Sequence, residues 1–361
     1  MYRILYIKLA DQCHHLKFVF IKYVWRKIQL LTKPFKIFFN YCLGPILFLW
    51  LSISIYRNVI SQPDWLESWK NIQQSFTGAE SWKPIVVILL MFCNWGVEAK
   101  KWQVLVKHIQ PISFFTSFKA ILSGLSVSLA LNTPNGAGEY IGRVLYIREG
   151  NRIRAVTITF VGSISQLLVT LFMGTIGLYV LDEYFRDTTR TVLPFSIIWL
   201  DVMMYGAVII TVILAVLYFK ISWLIHVLER IPIIKKYSFF IQKLEEFHWR
   251  ELLKVLLLSM ARYAIFVVQY LLLLQLFKVE IAATSSVWLI TIMFLALAIV
   301  PTIALAELGV RGKLSIYIFG LFSVNTLGIL FTATTIWLIN LVVPALAGSL
   351  FILGIKLFRN K

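Results

Sequence analysis

Residues 132–154 read NTPNGAGEYIGRVLYIREGNRIR, and this stretch lies between two long apolar runs. Thr133, Pro134, Asn135, Gly136 and Gly138 concentrate residues that interrupt a helix, because proline lacks the N–H donor and glycine readily takes positive φ. Glu139 follows at once, with Arg143 four residues on and Arg148 beyond it. A broken helix bearing a carboxylate and a guanidinium is costly in lipid unless it is buried in protein or lines a wet cavity. Two readings stand at this point. In one, the stretch is a cytoplasmic loop with an ordinary i,i+4 surface pair. In the other, it is the tip of a re-entrant helix that meets a polar substrate.

The composition sets the class. The chain is 59% hydrophobic and only 14% charged, with a mean hydropathy of +0.81. A soluble domain carries roughly a quarter charged residues. Apolar runs of about 20 residues recur along the chain, so the expected fold is an all-α polytopic membrane protein. The net charge of +18 is spread over loops that flank these runs. That distribution fits a positive-inside bias and anionic lipid, and argues against a nucleic-acid partner. Cys13, Cys42 and Cys93 are too scattered for a disulfide framework, and Cys13-His14-His15 lacks further ligands at metal spacing. No metal and no cofactor is expected.

The Lys and Arg pattern orients the spans. Residues 1–36 mix basic and aromatic side chains without a signal-peptide core, and read as an interfacial helix on the cytoplasmic leaflet. Residues 37–361 form one transmembrane domain. Spans are expected at about 37–56, 84–102, 155–181, 195–219, 252–277 and 327–357, the last interrupted at Pro344 and Gly348. The Trp-bearing loop 57–83 and the loop 182–194 are placed outside. Glu98, Lys100, Lys101 and Lys107, the exit Arg148, Arg152 and Arg154, and the amphipathic segment 220–254 are placed inside, with both termini.

The stretch around Arg143 has a counterpart. A small-residue apolar run at 281–303 meets Pro301, and ALAELGVRGK follows at 304–313. Pro134, Glu139 and Arg143 thus match Pro301, Glu307 and Arg311, with Arg four residues after Glu in both. Each motif follows a small-residue run and precedes a long span. Half one (37–181) and half two (195–358) each show two spans, a broken segment and a third span. Three crossings per half is odd, so half two is expected to be inverted, giving about six spans and two re-entrant hairpins. Paired interrupted segments in corresponding halves point to a transporter site. Glu139 and Glu307 suit a cationic group, Arg143 and Arg311 a phosphate. The competing reading is that each Glu merely neutralises its own Arg.

Other polar residues at membrane depth are secondary candidates. Arg262 and Asp201, in neighbouring expected spans, are placed to pair, and Glu98 sits near the inner end of its span. Lys119 is close enough to an end to snorkel. Asn132, Asn135, Gln166 and Asn340 suit helix-to-helix hydrogen bonds.

The run TP-x-G-x-GE-x-x-x-R, after a small-residue helix and before a basic exit and a long span, resembles the lysylphosphatidylglycerol synthase transmembrane-region family. AELGVRG resembles that family's C-terminal Gly-Glu-Gly stretch. The resemblance implies a flippase-like protein of the bacterial cytoplasmic membrane, here a stand-alone member without an aminoacyltransferase domain. It implies an anionic or aminoacylated phospholipid as cargo and a separate synthase or envelope-biosynthesis partner. The expected substrate-binding residues are Thr133, Pro134, Asn135, Gly138, Glu139, Arg143, Glu307 and Arg311. No Walker A sequence, Cys/His cluster or Ser–His–Asp set is visible, so catalysis is not expected. A membrane-embedded transferase acting on a lipid-linked substrate, or an envelope scaffold subunit, are the alternatives.

Overall fold

The computed structural model describes residues 80–131, 136–187, 197–221, 247–300 and 306–353, together with Ile53, Lys70 and Trp223. The N-terminal segment, the expected first span, most of the loop 57–83, most of segment 220–254 and the basic C-terminal tail lie outside these residues. All regular structure among the described residues is helical. In chain order the helices are α1 (Trp82–Val106), α2 (Phe114–Ala130), α3 (Ala137–Val144), α4 (Arg152–Asp187), α5 (Ile197–Phe219), α6 (Trp249–Leu276), α7 (Ala283–Ile299), α8 (Ala306–Phe319), α9 (Thr326–Trp337) and α10 (Val343–Leu353).

Five of these stretches are long and apolar enough to cross a membrane, namely α1, α4, α5, α6 and the run Thr326–Ile352 through α9 and α10. They coincide with five of the spans read from the sequence. Met203, Tyr205, Ile209, Ile210 and Ile213 of α5 are each half exposed or more, as suits a helix facing lipid. The two small-residue segments behave differently. Helices α2 and α7 are 17 residues each, short of the roughly 20 that a crossing requires. The side chain of Ser113 caps α2, accepting the Thr116 N–H at 3.2 Å.

The most extensive helix contacts are α2 with α10, α2 with α3, α1 with α6, and α4 with α7. Small residues permit two of these crossings. A Cβ on Gly348 of α10 would lie 1.9 Å from the Leu122 carbonyl oxygen of α2. One on Gly177 of α4 would lie 2.1 Å from Thr291 Oγ1 of α7. The interruption expected in the last span is milder than its sequence indicates. The helix runs on to Leu353, and a π turn at Leu338–Val342 lies just upstream of Pro344. Proline cannot donate to the carbonyl four residues back and crowds it, and a widened turn accommodates both effects. Gly348 is fully helical and serves the crossing rather than a break.

Candidate functional site

Gly136 is the N-cap of helix α3, and its φ of 70° lies in the left-handed region that a residue with a Cβ adopts only at a cost. The Gly136 carbonyl accepts the Glu139 N–H at 2.8 Å, closing the first turn. Glu139 stands in that first turn and Arg143 in the last, which suits the helix dipole at both ends. Backbone contact then clamps α3 onto α2. A Cβ on Gly142 would lie 2.5 Å from both the Gly124 Cα and the Ser123 carbonyl oxygen. The obstacle is backbone, which cannot step aside as a side chain can. Gly142→Ala is therefore expected to destabilise the protein by about 3 kcal/mol, the upper end for overpacking. Thermal unfolding in detergent measures this, and a parent-like midpoint would contradict the clamp.

The clamp carries Arg143 into the protein interior. Its guanidinium donates to Glu139 at 2.6 Å and to Glu98 of α1 at 3.1 Å. Glu98 is only 3% exposed and is the hub of the cluster. Lys101 approaches it at 2.7 Å from the next turn of α1, and Arg262 of α6 at 3.2 Å. One buried carboxylate thus holds cations from three helices. Charges at this depth persist only when paired, and here each is.

Further contacts fix the cations in place. Lys101 Nζ reaches the Gly162 carbonyl and Ser259 Oγ, each at 3.4 Å. The Arg262 guanidinium lies 4.9 Å from the Trp95 ring centroid and donates through Nε to Asn94 at 3.0 Å. Asn94 donates to Asn340 at 3.1 Å, Asn340 to Gln269 at 3.1 Å, and Gln269 to the Val87 carbonyl at 2.9 Å. A chain of amides therefore joins the cluster to the π turn that contains Asn340.

The cluster lines a cavity of about 270 Å³ between α3 and α4, with walls from α1, α6 and α7. Glu98, Lys101, Glu139, Arg143 and Arg262 all face it, so three cations meet two carboxylates there. Tyr140, Ser163, Gln166 and Thr170 add neutral polar groups, and Tyr140 and Ser163 hydroxyls meet at 2.8 Å. The lining is polar enough to hold a hydrated or phosphate-bearing group within an apolar helical body.

The structure brings together four residues singled out from the sequence: Glu139 and Arg143 from the motif, and Glu98 and Arg262 from the secondary set. Gly138 is buried within α3. Glu307 and Arg311 form their own pair at 2.5 Å within α8, and neither lines this cavity. Asp201 sits on α5, whereas the hydrogen bonds of Arg262 run to Glu98 and Asn94 on α1. Asn132, Thr133, Pro134, Asn135 and Pro301 lie outside the described residues. Lys101, expected at the inner end of its span, is part of the buried cluster, at 2% exposure. Its i,i+3 spacing from Glu98 was the available signal, since that spacing puts both on one helix face. Asn340 makes the expected helix-to-helix hydrogen bonds, to Asn94 of α1 and Gln269 of α6, whereas Gln166 lies in the cavity wall.

The sequence model of the family described as "Lysylphosphatidylglycerol synthase TM region" matches residues 47–348, most of the chain. No curated protein and no solved structure matches it.

Proposed function

The chain belongs to the lysylphosphatidylglycerol synthase TM region family as a multi-pass membrane protein, and we propose that it moves a phospholipid or other lipid-linked substrate between leaflets. The observation that carries this reading is the cavity beside α3, where charged groups from three helices face a space inside a membrane body. Burying such groups is expensive, and intramembrane ions of this kind commonly mark a substrate path. The polar headgroup travels through the cavity while the acyl chains stay in lipid. The lipid is not chemically altered, and a separate synthase or envelope enzyme supplies it.

An inverted repeat is part of this proposal. Exchanging the halves maps α1 onto α6, α2 onto α7, α3 onto α8, and α4 onto the α9–α10 run. Under that exchange the α2–α10 crossing becomes the α7–α4 crossing, and both are among the most extensive contacts. The α1–α6 contact maps onto itself. Both short helices α3 and α8 also form the same i,i+4 Glu–Arg pair. These correspondences support two hairpins that enter from opposite faces, while the distribution of Lys and Arg supports cytoplasmic termini and the family a bacterial inner membrane. In intact cells, a cysteine at Ser68 in a cysteine-free background is expected to react with an impermeant reagent, and one at Lys235 is not. Labelling at Lys235 from outside would overturn this orientation.

The transport reading itself is tested in liposomes. Purified protein is reconstituted with a tail-labelled phospholipid, and a membrane-impermeant reductant bleaches the outer leaflet. Protein-dependent bleaching beyond the outer-leaflet fraction, with the lipid's mass unchanged, is the expected result. Bleaching equal to that of empty liposomes contradicts transport, and a changed lipid mass points to a transferase.

A further inference from the structure

We infer that Asn340, in the π turn of the last span, is a positioning residue for Arg262, so that the last span sets where this cation stands in the cavity wall. The inference rests on the transport reading only for what Arg262 does there. The first ground is the direction of the amide chain. The Val87 carbonyl can only accept, and it takes the Gln269 Nε2–H at 2.9 Å. Gln269 therefore presents Oε1 to Asn340, whose Nδ2 donates to it at 3.1 Å and to the Ile336 carbonyl at 3.3 Å. Both Asn340 N–H donors are thereby used, and its Oδ1 accepts from Asn94 Nδ2 at 3.1 Å. Asn94 in turn presents Oδ1 to Arg262 Nε, which can only donate, at 3.0 Å. Backbone carbonyls at one end and a guanidinium at the other fix the sense of every amide between them. Turning any one over sets oxygen against oxygen or N–H against N–H.

The seat of Arg262 is the second ground. Its Nη1 donates to Glu98 at 3.2 Å, and its guanidinium lies 4.9 Å from the Trp95 ring centroid and 5.5 Å from that of Phe266. Glu98 is shared with Lys101 and Arg143, so it does not hold Arg262 alone. A planar guanidinium gripped at one nitrogen can pivot about it, and the bond at Nε is the second point that fixes its plane. Asn94 supplies that point, and Asn340 orients Asn94. Asn94 and Gln269 are fully buried and Asn340 nearly so, so solvent does not replace a lost partner. Amides between helices also tie spans together in a bilayer. Tying alone asks for no particular direction and no ion at the end of the chain. This chain has both, and it starts from a π turn, an irregularity that recurs at functional sites.

Nuclear magnetic resonance of the full chain in detergent, with isotopically labelled arginine and asparagine, reads this directly. In the parent protein transferred to heavy water, the Arg262 Nε–H is expected to outlast the signals of exposed arginines. The side-chain amide protons of Asn340 are expected to persist as long as it does. Asn340 protons that exchange much faster than the Arg262 Nε–H overturn the inference, because Arg262 is then held while Asn340 is open. In Asn340→Leu the Arg262 signal is expected to move and to exchange about tenfold faster, the scale of one buried hydrogen bond. Thr332→Val, at a buried hydroxyl of α9 that bonds the Gly328 carbonyl, serves as the control and is expected to leave Arg262 unchanged. An unmoved Arg262 signal in folded Asn340→Leu overturns the inference, as does an equal change in Thr332→Val. The comparison within the parent needs no variant, so poor folding of Asn340→Leu leaves the test decisive. The two proposals fail separately. On the transport reading, Asn340→Leu also slows leaflet exchange in liposomes. A displaced Arg262 with exchange at the parent rate leaves the positioning intact and contradicts a role for Arg262 in transport.

Discussion

The paired substitution Glu139→Gln with Arg143→Gln is expected to abolish leaflet exchange while the protein still folds. It removes one anion and one cation, so the excess in the cavity stays the same: three cations less two carboxylates before, two less one after. Glu98 keeps Lys101 at 2.7 Å and Arg262 at 3.2 Å, so the change strands no buried charge. On the proposed reading, what is lost is the donor that α3 offers to a headgroup. The single changes should be gentler on stability than an isolated pair would predict. With Glu139→Gln, Arg143 still has Glu98 at 3.1 Å. With Arg143→Gln, Glu139 is partly exposed and finds solvent. A double-mutant cycle on exchange rate, with unfolding temperatures in parallel, separates the two roles. A double variant that exchanges lipid at the parent rate would show the pair to be structural.

Glu98→Gln is expected to have the largest effect on stability. The neutral amide would leave Lys101, Arg143 and Arg262 around a site with no carboxylate at its centre. Breaking a buried ion pair by removing one partner costs about 3–5 kcal/mol, and here one partner serves three. The expected result is a large fall in unfolding temperature and loss of monodisperse protein on size exclusion. An unchanged unfolding temperature would mean that Glu98 is not the hub that holds α1, α3 and α6 together.

Much of the fold was legible because a bilayer dictates element length. Five expected spans reappear as helices, and both small-residue runs appear as short helices followed by Glu–Arg pairs. Local spacing sufficed for those features. The cluster was only partly legible because its contacts are tertiary. Arg143 and Glu98 are 45 residues apart, and Arg262 and Glu98 are 164 apart. The cost of burying Arg262 was evident from sequence, but its partner depends on the α1–α6 crossing, which no periodicity reports. The burial of Lys101 was not legible for a related reason. A basic residue near a helix end ordinarily snorkels to the interface, and only the neighbouring Glu98 and the packing of α4 and α6 keep it inside. Pro344 marked an irregularity correctly, but a π turn absorbs it where a break was expected.

The most direct test is an experimental structure of the protein in nanodiscs that contain an anionic phospholipid. The headgroup is expected in the cavity between α3 and α4, with its phosphate within hydrogen-bonding distance of Arg143 and its acyl chains extending outward into the lipid. A structure in which lipid covers the outer helical surfaces while that cavity holds no headgroup would contradict the account.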